Sequence, residues 1–179
     1  MSQKEKLIPM PESPLVSIVM GSDSDLEFMN ETAKALDDFE ISYEIDVTSA
    51  HRSPARTAEF ARTAATRGVK VIIAGAGGAA HLAGVIAAET TLPVIGVPIP
   101  STPLNGMDSL LATVQMPAGI PVATVAIGKA GATNAGILAA QIIGLGSTAV
   151  AGKLKQLKEK LARSVEEKSQ KLQQLRKRS

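Results

Sequence analysis

VSIVMGSDSDLEFM, residues 16–29, changes character twice, and its reading decides the fold. VSIVM is an unbroken apolar run rich in β-branched residues, the pattern of a strand buried on both faces. GSDSD is a polar turn. Leu26, Met29, Ala33 and Leu36 then recur at helical spacing. A buried strand, a polar turn and a helix together make half of a βαβ unit.

The same alternation continues along the chain. ISYEIDV (41–47) reads as a second strand ending at the turn SAHRS (49–53). Ser53 suits a helix N-cap and Pro54 the first helical position, so a helix is expected to about Arg67, with Gly68 as its stop. KVIIAGA (70–76), PVIGVP (93–98) and PVATVAI (121–127) read as three more strands. Helices are expected over 79–90, 108–116 and 131–145, with the loop STPLNGMD before the second of these. No internal repeat or interdomain linker interrupts the pattern. It predicts an α/β domain with a doubly wound parallel sheet.

Composition agrees. The chain has 179 residues, 45% of them hydrophobic and only 2% aromatic, so Ala, Val, Ile and Gly must supply the core. That suits helices packed closely on a sheet. Without cysteine there is neither a disulfide framework nor a thiolate metal site. Two histidines are too few for a typical zinc site, so no metal is expected. No apolar run is long enough for a membrane span and no signal-peptide pattern is present, so a soluble, cytoplasmic protein is expected.

The net charge of +2 hides an asymmetry, because residues 153–179 carry ten Lys/Arg against three Glu. Leu154, Leu157, Leu161, Val165, Leu172 and Leu175 fall at near-helical spacing there. The pattern fits an amphipathic helix packed on a neighbour or partner chain, and with no aromatic to stack on bases nucleic-acid binding is not expected. The organisation read from the sequence is a flexible segment over 1–14, an α/β domain over 15–146 and a basic helix over 147–179.

Three loops leave strand carboxyl ends, where open parallel sheets bind ligands. In GSDSD, Ser22 and Ser24 offer hydroxyls beside free N–H groups at a helix start, which favours an anion such as phosphate; either serine can also be only an N-cap. Asp25 either complements the helix dipole or accepts hydrogen bonds from ribose hydroxyls. The Walker pattern is absent. In SAHRS, His51 can give or take a proton near neutral pH, and Arg52 offers a planar fork for phosphate or carboxylate. A loop histidine standing alone is more often a surface or hydrogen-bonding residue; a second anion site beside it favours chemistry. In GAGGAAHLAG (75–84), Gly75, Gly77 and Ala80 match a dinucleotide fingerprint loosely, but the motif lies in the wrong βα turn and lacks the following acid. The glycines instead allow a ligand or another subunit close to the backbone. His81 either orients this loop, touches ligand, or is structural.

Taken together, MGSDSD (20–25), SAHRSP (49–54), VIIAGAGGAAHLAG (71–84), LPVIGVP (92–98) and the long block from Leu104 to Ile142 resemble one family. It is the class I PurE type, N5-carboxyaminoimidazole ribonucleotide mutases of purine biosynthesis. The resemblance implies a three-layer α/β/α domain of the flavodoxin-like kind, assembled as an octamer with sites at subunit contacts, and transfer of a carboxylate from the exocyclic nitrogen to C4 of the same ribonucleotide without cofactor. It implies His51 as the proton carrier. It further implies Ser22, Ser24, Ser49 and Arg52 around the 5′-phosphate, Asp25 on ribose, and Gly77, Gly78 and His81 over the base and the carboxylate or CO2. The chain departs from the family pattern at Leu26, where an aromatic is usual, at Ala83, where proline is usual, at Ser53 and at Ala118. Transient contact with the enzyme that makes the labile carbamate is a further expectation. Two other functions compete: direct CO2-dependent carboxylation of aminoimidazole ribonucleotide, and ribonucleotide binding without turnover.

Overall fold

A computed structural model describes residues 13–176. The expected N-terminal segment lies almost entirely outside them. The elements in chain order are β1 (Val16–Met20), α1 (Leu26–Asp38), β2 (Tyr43–Val47), α2 (Pro54–Ala64), β3 (Val71–Gly77), α3 (Leu82–Glu89), β4 (Val94–Ile99), α4 (Met107–Val114), β5 (Ala123–Thr124), α5 (Gly128–Gly144) and α6 (Thr148–Arg176). All strand pairs are parallel, and the order is β2-β1-β3-β4-β5, the flavodoxin-like arrangement. The chain divides into two compact units after Ala139.

The sheet is buried where the sequence is continuously apolar. Every residue of β1 and β4 is buried. Alternate residues of β3 serve opposite faces. Ile72 and Ala74 pack with Ala61 and Ala64 of α2 and Leu82, Ala83 and Ile86 of α3. Each fully buried Ile contributes about 1.5–3 kcal/mol. On the other face Gly75 leaves room for Met29 of α1, whose Sδ occupies the space a Cβ would need. Thr32 of α1 donates from Oγ1 to Ala132 O in α5 at 2.8 Å, so this buried hydroxyl is satisfied.

Two expectations are corrected. The helix expected from residue 79 starts at Leu82, because Gly78 turns left-handed (φ 59) and Ala80 and His81 donate N–H to Gly78 O and Ala79 O in tight turns. The fifth strand shrinks to Ala123–Thr124. It has only β4 as a neighbour, Pro121 has no N–H to give, and beyond Val125, which donates to Gly96 O at 3.1 Å, the chain turns toward α5. The polar turn after β1 is partly ordered, with a 3₁₀ turn over Asp23–Asp25 before α1. The expected stop at Gly68 is present, with φ 97.

The second unit holds α6, a single helix over Thr148–Arg176. Leu161, Val165 and Leu172 on it are exposed.

Candidate active site

Because the strands are parallel, the exits of β1, β2, β3 and β4 meet along one sheet edge. Chain order reverses between β1 and β3, so the crossovers diverge there and leave a crevice. A single backbone bond, Gly21 N to Gly75 O at 3.2 Å, holds the first exit against β3. The crevice is a cavity of about 330 Å³ lined by Ser22, Ser24, Asp25, Ser49, His51, Arg52, Gly77 and His81, among others. Of the residues singled out from the sequence, Gly78 does not line it; its left-handed backbone turns the chain behind Gly77.

Ser22 is both a cap and a lining residue. Its extended backbone (φ −150, ψ 151) starts the 3₁₀ turn, and its Oγ accepts from Ser24 N at 3.4 Å and from Ser24 Oγ at 2.9 Å. Asp23 Oδ1 also accepts from Ser24 N, at 3.0 Å. Asp25 is buried at 5% exposure. Burial raises its carboxyl from its ordinary value; the Ser22 backbone N–H opposes the rise, Asp23 adds to it and Arg52 opposes it.

Ser53 occupies the N-cap position of α2, but its side chain does not cap it. The hydroxyl turns back into the loop, donating to Ser49 O and accepting from Ser49 N, both at 3.1 Å. This closes the SAHRS turn. Ser49 Oγ then accepts from Arg52 N at 3.2 Å and Nε at 3.4 Å. Arg52 Nη2 reaches across to donate to Gly21 O at 2.7 Å.

The two histidines come from different loops and touch. His51 Nε2 lies 2.8 Å from His81 Nδ1, with the rings edge to face at 80° and centroids 4.9 Å apart. One of the two nitrogens must carry the proton of this bond and the other must accept it. The pair can therefore hold and redirect a proton within the cavity. Among the described residues no cluster of three His, Cys, Asp or Glu stands where a metal would need one, and no helix is long and apolar enough to cross a membrane.

Sequence reasoning missed Ser101, which follows β4 and lines the cavity beside Gly77. The available signal was positional: β4 neighbours β3, so its exit belongs on the same edge.

The fold and the site define an α/β protein whose switch-point crevice combines serine hydroxyls and a guanidinium with a pair of imidazoles. The chain belongs to the AIR carboxylase family, which it matches over residues 15–164. A Thermotoga maritima protein named N5-carboxyaminoimidazole ribonucleotide mutase is 56% identical over 162 residues, 90% of this chain and 94% of the relative. A Bacillus subtilis protein of the same name is 58% identical over 159 residues, 89% of this chain and 98% of the relative. The crystal structure of Treponema denticola PurE superposes with a TM-score of 0.80 at 32% identity, covering 89% of this chain and 98% of that one.

Proposed function

We propose that this chain is an isomerase, an N5-carboxyaminoimidazole ribonucleotide mutase that converts N5-carboxyaminoimidazole ribonucleotide to 4-carboxy-5-aminoimidazole ribonucleotide in purine biosynthesis. The names of the relatives support the reaction. The observation that carries the chemistry is the joining of the serine–arginine cradle and His51 in one cavity.

In this reading the 5′-phosphate lies against Ser22, Ser24, Ser49 and Arg52, where hydroxyls, a guanidinium and the start of the 3₁₀ turn favour an anion. Asp25 accepts from the ribose hydroxyls. Gly77 and His81 form the wall over the base, and Gly78, which does not line the cavity, only turns the chain behind Gly77. The carbamate N–C bond breaks, its electron pair stays on nitrogen, and His51 supplies the proton that nitrogen needs. C4 then attacks the CO2 carbon, and His51 takes the C4 proton as aromaticity returns. Protons balance over the cycle, so one imidazole serves both steps. Keeping water out of the crevice helps the CO2 to be recaptured.

The finer reading is a cytoplasmic homo-octamer that receives its labile substrate by brief contact with the enzyme that makes it. Support for association is the exposed stripe Leu104, Met107, Leu111 and Val114 on and just before α4. We take residues 15–146 as the catalytic domain and 147–179 as an appended basic helix.

The test is a product assay. Purified chain meets the carbamate ribonucleotide without ATP, metal or added bicarbonate, and the C4-carboxylated product is followed by ultraviolet absorbance against an enzyme-free blank. Product above the blank is expected. Its absence, with product appearing only when aminoimidazole ribonucleotide and bicarbonate are supplied, overturns the mutase reading in favour of direct carboxylation.

A further inference from the structure

Ser101 stands out once the known motifs are set aside. It is exposed at the cavity wall, where its hydroxyl makes no hydrogen bond among the described residues and stays free for a ligand, while its backbone is closely fixed. Ser101 N donates to Ile99 O at 3.0 Å, and the same carbonyl accepts from the buried Ser109 Oγ at 3.0 Å. The next residue is also tied, with Thr102 Oγ1 donating to Asp108 Oδ2 at 2.7 Å. Across from it, a Cβ at Gly77 would overlap Ser101 Oγ and come within 2.8 Å of its Cβ. Glycine at 77 therefore makes room for this serine as well as for any ligand.

Topology says which part of a ligand Ser101 meets. The anion cradle hangs from β1 and β2, on one side of β3, while Ser101 hangs from β4, on the other. A ribonucleotide with its phosphate in the cradle turns its base, and the group the base carries, toward Gly77, His81 and Ser101.

We propose that Ser101 Oγ donates a hydrogen bond to the migrating carboxyl group: to the carbamate on entry, to CO2 while it is free, and to the C4 carboxylate on exit. This assignment rests on the mutase reading. A neutral donor suits the task. A lysine or arginine there would bind the charged carbamate and product far better than neutral CO2, and so would oppose the bond breaking the reaction needs. A hydroxyl holds all three forms with smaller differences and keeps CO2 beside C4.

The experiment measures partition as well as rate. Wild type, Ser101→Ala and Ser101→Cys are given the carbamate ribonucleotide, and both the C4-carboxylated product and enzyme-dependent release of aminoimidazole ribonucleotide are followed. Affinity for aminoimidazole ribonucleotide, which lacks the carboxyl group, is measured by calorimetry. In Ser101→Ala, kcat/KM is expected to fall about tenfold to hundredfold, the loss of one hydrogen bond to a charged group. Released amine relative to product should rise about tenfold, while affinity for the amine stays within about twofold of wild type. Ser101→Cys keeps the branch-free shape with a slightly larger atom that is only a weak donor, and should leak as well, so a folding failure of the alanine variant leaves the test intact. An unchanged partition in a folded variant, or an equal loss of amine affinity, overturns the role of Ser101 alone. A wild type that forms no product overturns the mutase reading and this role with it.

Discussion

Arg52 Nη2 donates to the carbonyl oxygen of Gly21 at 2.7 Å, joining the loop after β2 to the loop after β1. With Nε turned to Ser49 Oγ as well, one edge of the fork ties the two loops together and Nη1 is left for a ligand. Lysine, a single point donor on a flexible stem, cannot do both. Arg52→Lys is expected to lower kcat/KM about tenfold or more, and Arg52→Ala about a hundredfold, mainly through KM. Steady-state kinetics decides it, and a lysine variant within twofold of wild type contradicts a phosphate role.

His51→Asn should separate chemistry from binding. A positioned acid–base group is worth about 10²–10⁴ in rate. Turnover should fall by that factor, while affinity for aminoimidazole ribonucleotide changes by less than about threefold. Loss of affinity together with a lowered melting temperature would make His51 a structural residue instead.

Asp25 carries a stability cost with a definite sign. Burial raises its folded-state value, so the folded chain binds more protons than the unfolded one between the ordinary carboxylate value and the raised one. Stability is lost as pH rises through that interval and stays lowered above it. Asp25→Asn removes the ionisation. It is expected to melt higher than wild type at neutral pH, with the gap closing toward acid pH. Substrate affinity should fall about tenfold through the lost acceptor. Melting curves between acid and neutral pH test the sign; a variant less stable at neutral pH refutes it.

Gly77→Ala is expected to cost about 1–3 kcal/mol, because the new methyl overlaps Ser101. Adding Ser101→Gly should return part of that loss, since it removes both overlapping atoms. Thermal denaturation of the two singles and the double gives the coupling. Independent effects would show that the close approach carries no energy.

How far the sequence could be read follows from where the constraints are local. Strands β1, β3 and β4 were legible because burial on both faces demands continuous apolar runs, and the convergence of Ser22, Ser24, Asp25, Ser49, His51 and Arg52 on one cavity was legible because loops that leave parallel strands share one sheet edge. β5 was overestimated because PVATVAI carries the apolar pattern of a strand, while pairing depends on a neighbour that composition does not reveal. Ser53 was given the wrong partner because an N-cap residue with a nearby loop carbonyl and N–H has two ways to satisfy its hydroxyl. Ser101 left no mark in its own segment. Its meaning lies in the space above Gly77, a relation between two strand exits that only the folded sheet brings together.

The contact between His51 and His81 has a practical corollary. These are the two histidines in the whole chain, and both face the same crevice. A protein grown with ¹⁵N on histidine alone would give a magnetic-resonance spectrum with imidazole signals from the site and from nowhere else. Which ring nitrogen bears the proton, whether the two rings exchange it, and how both respond as a nucleotide enters would be read directly, without assigning another resonance.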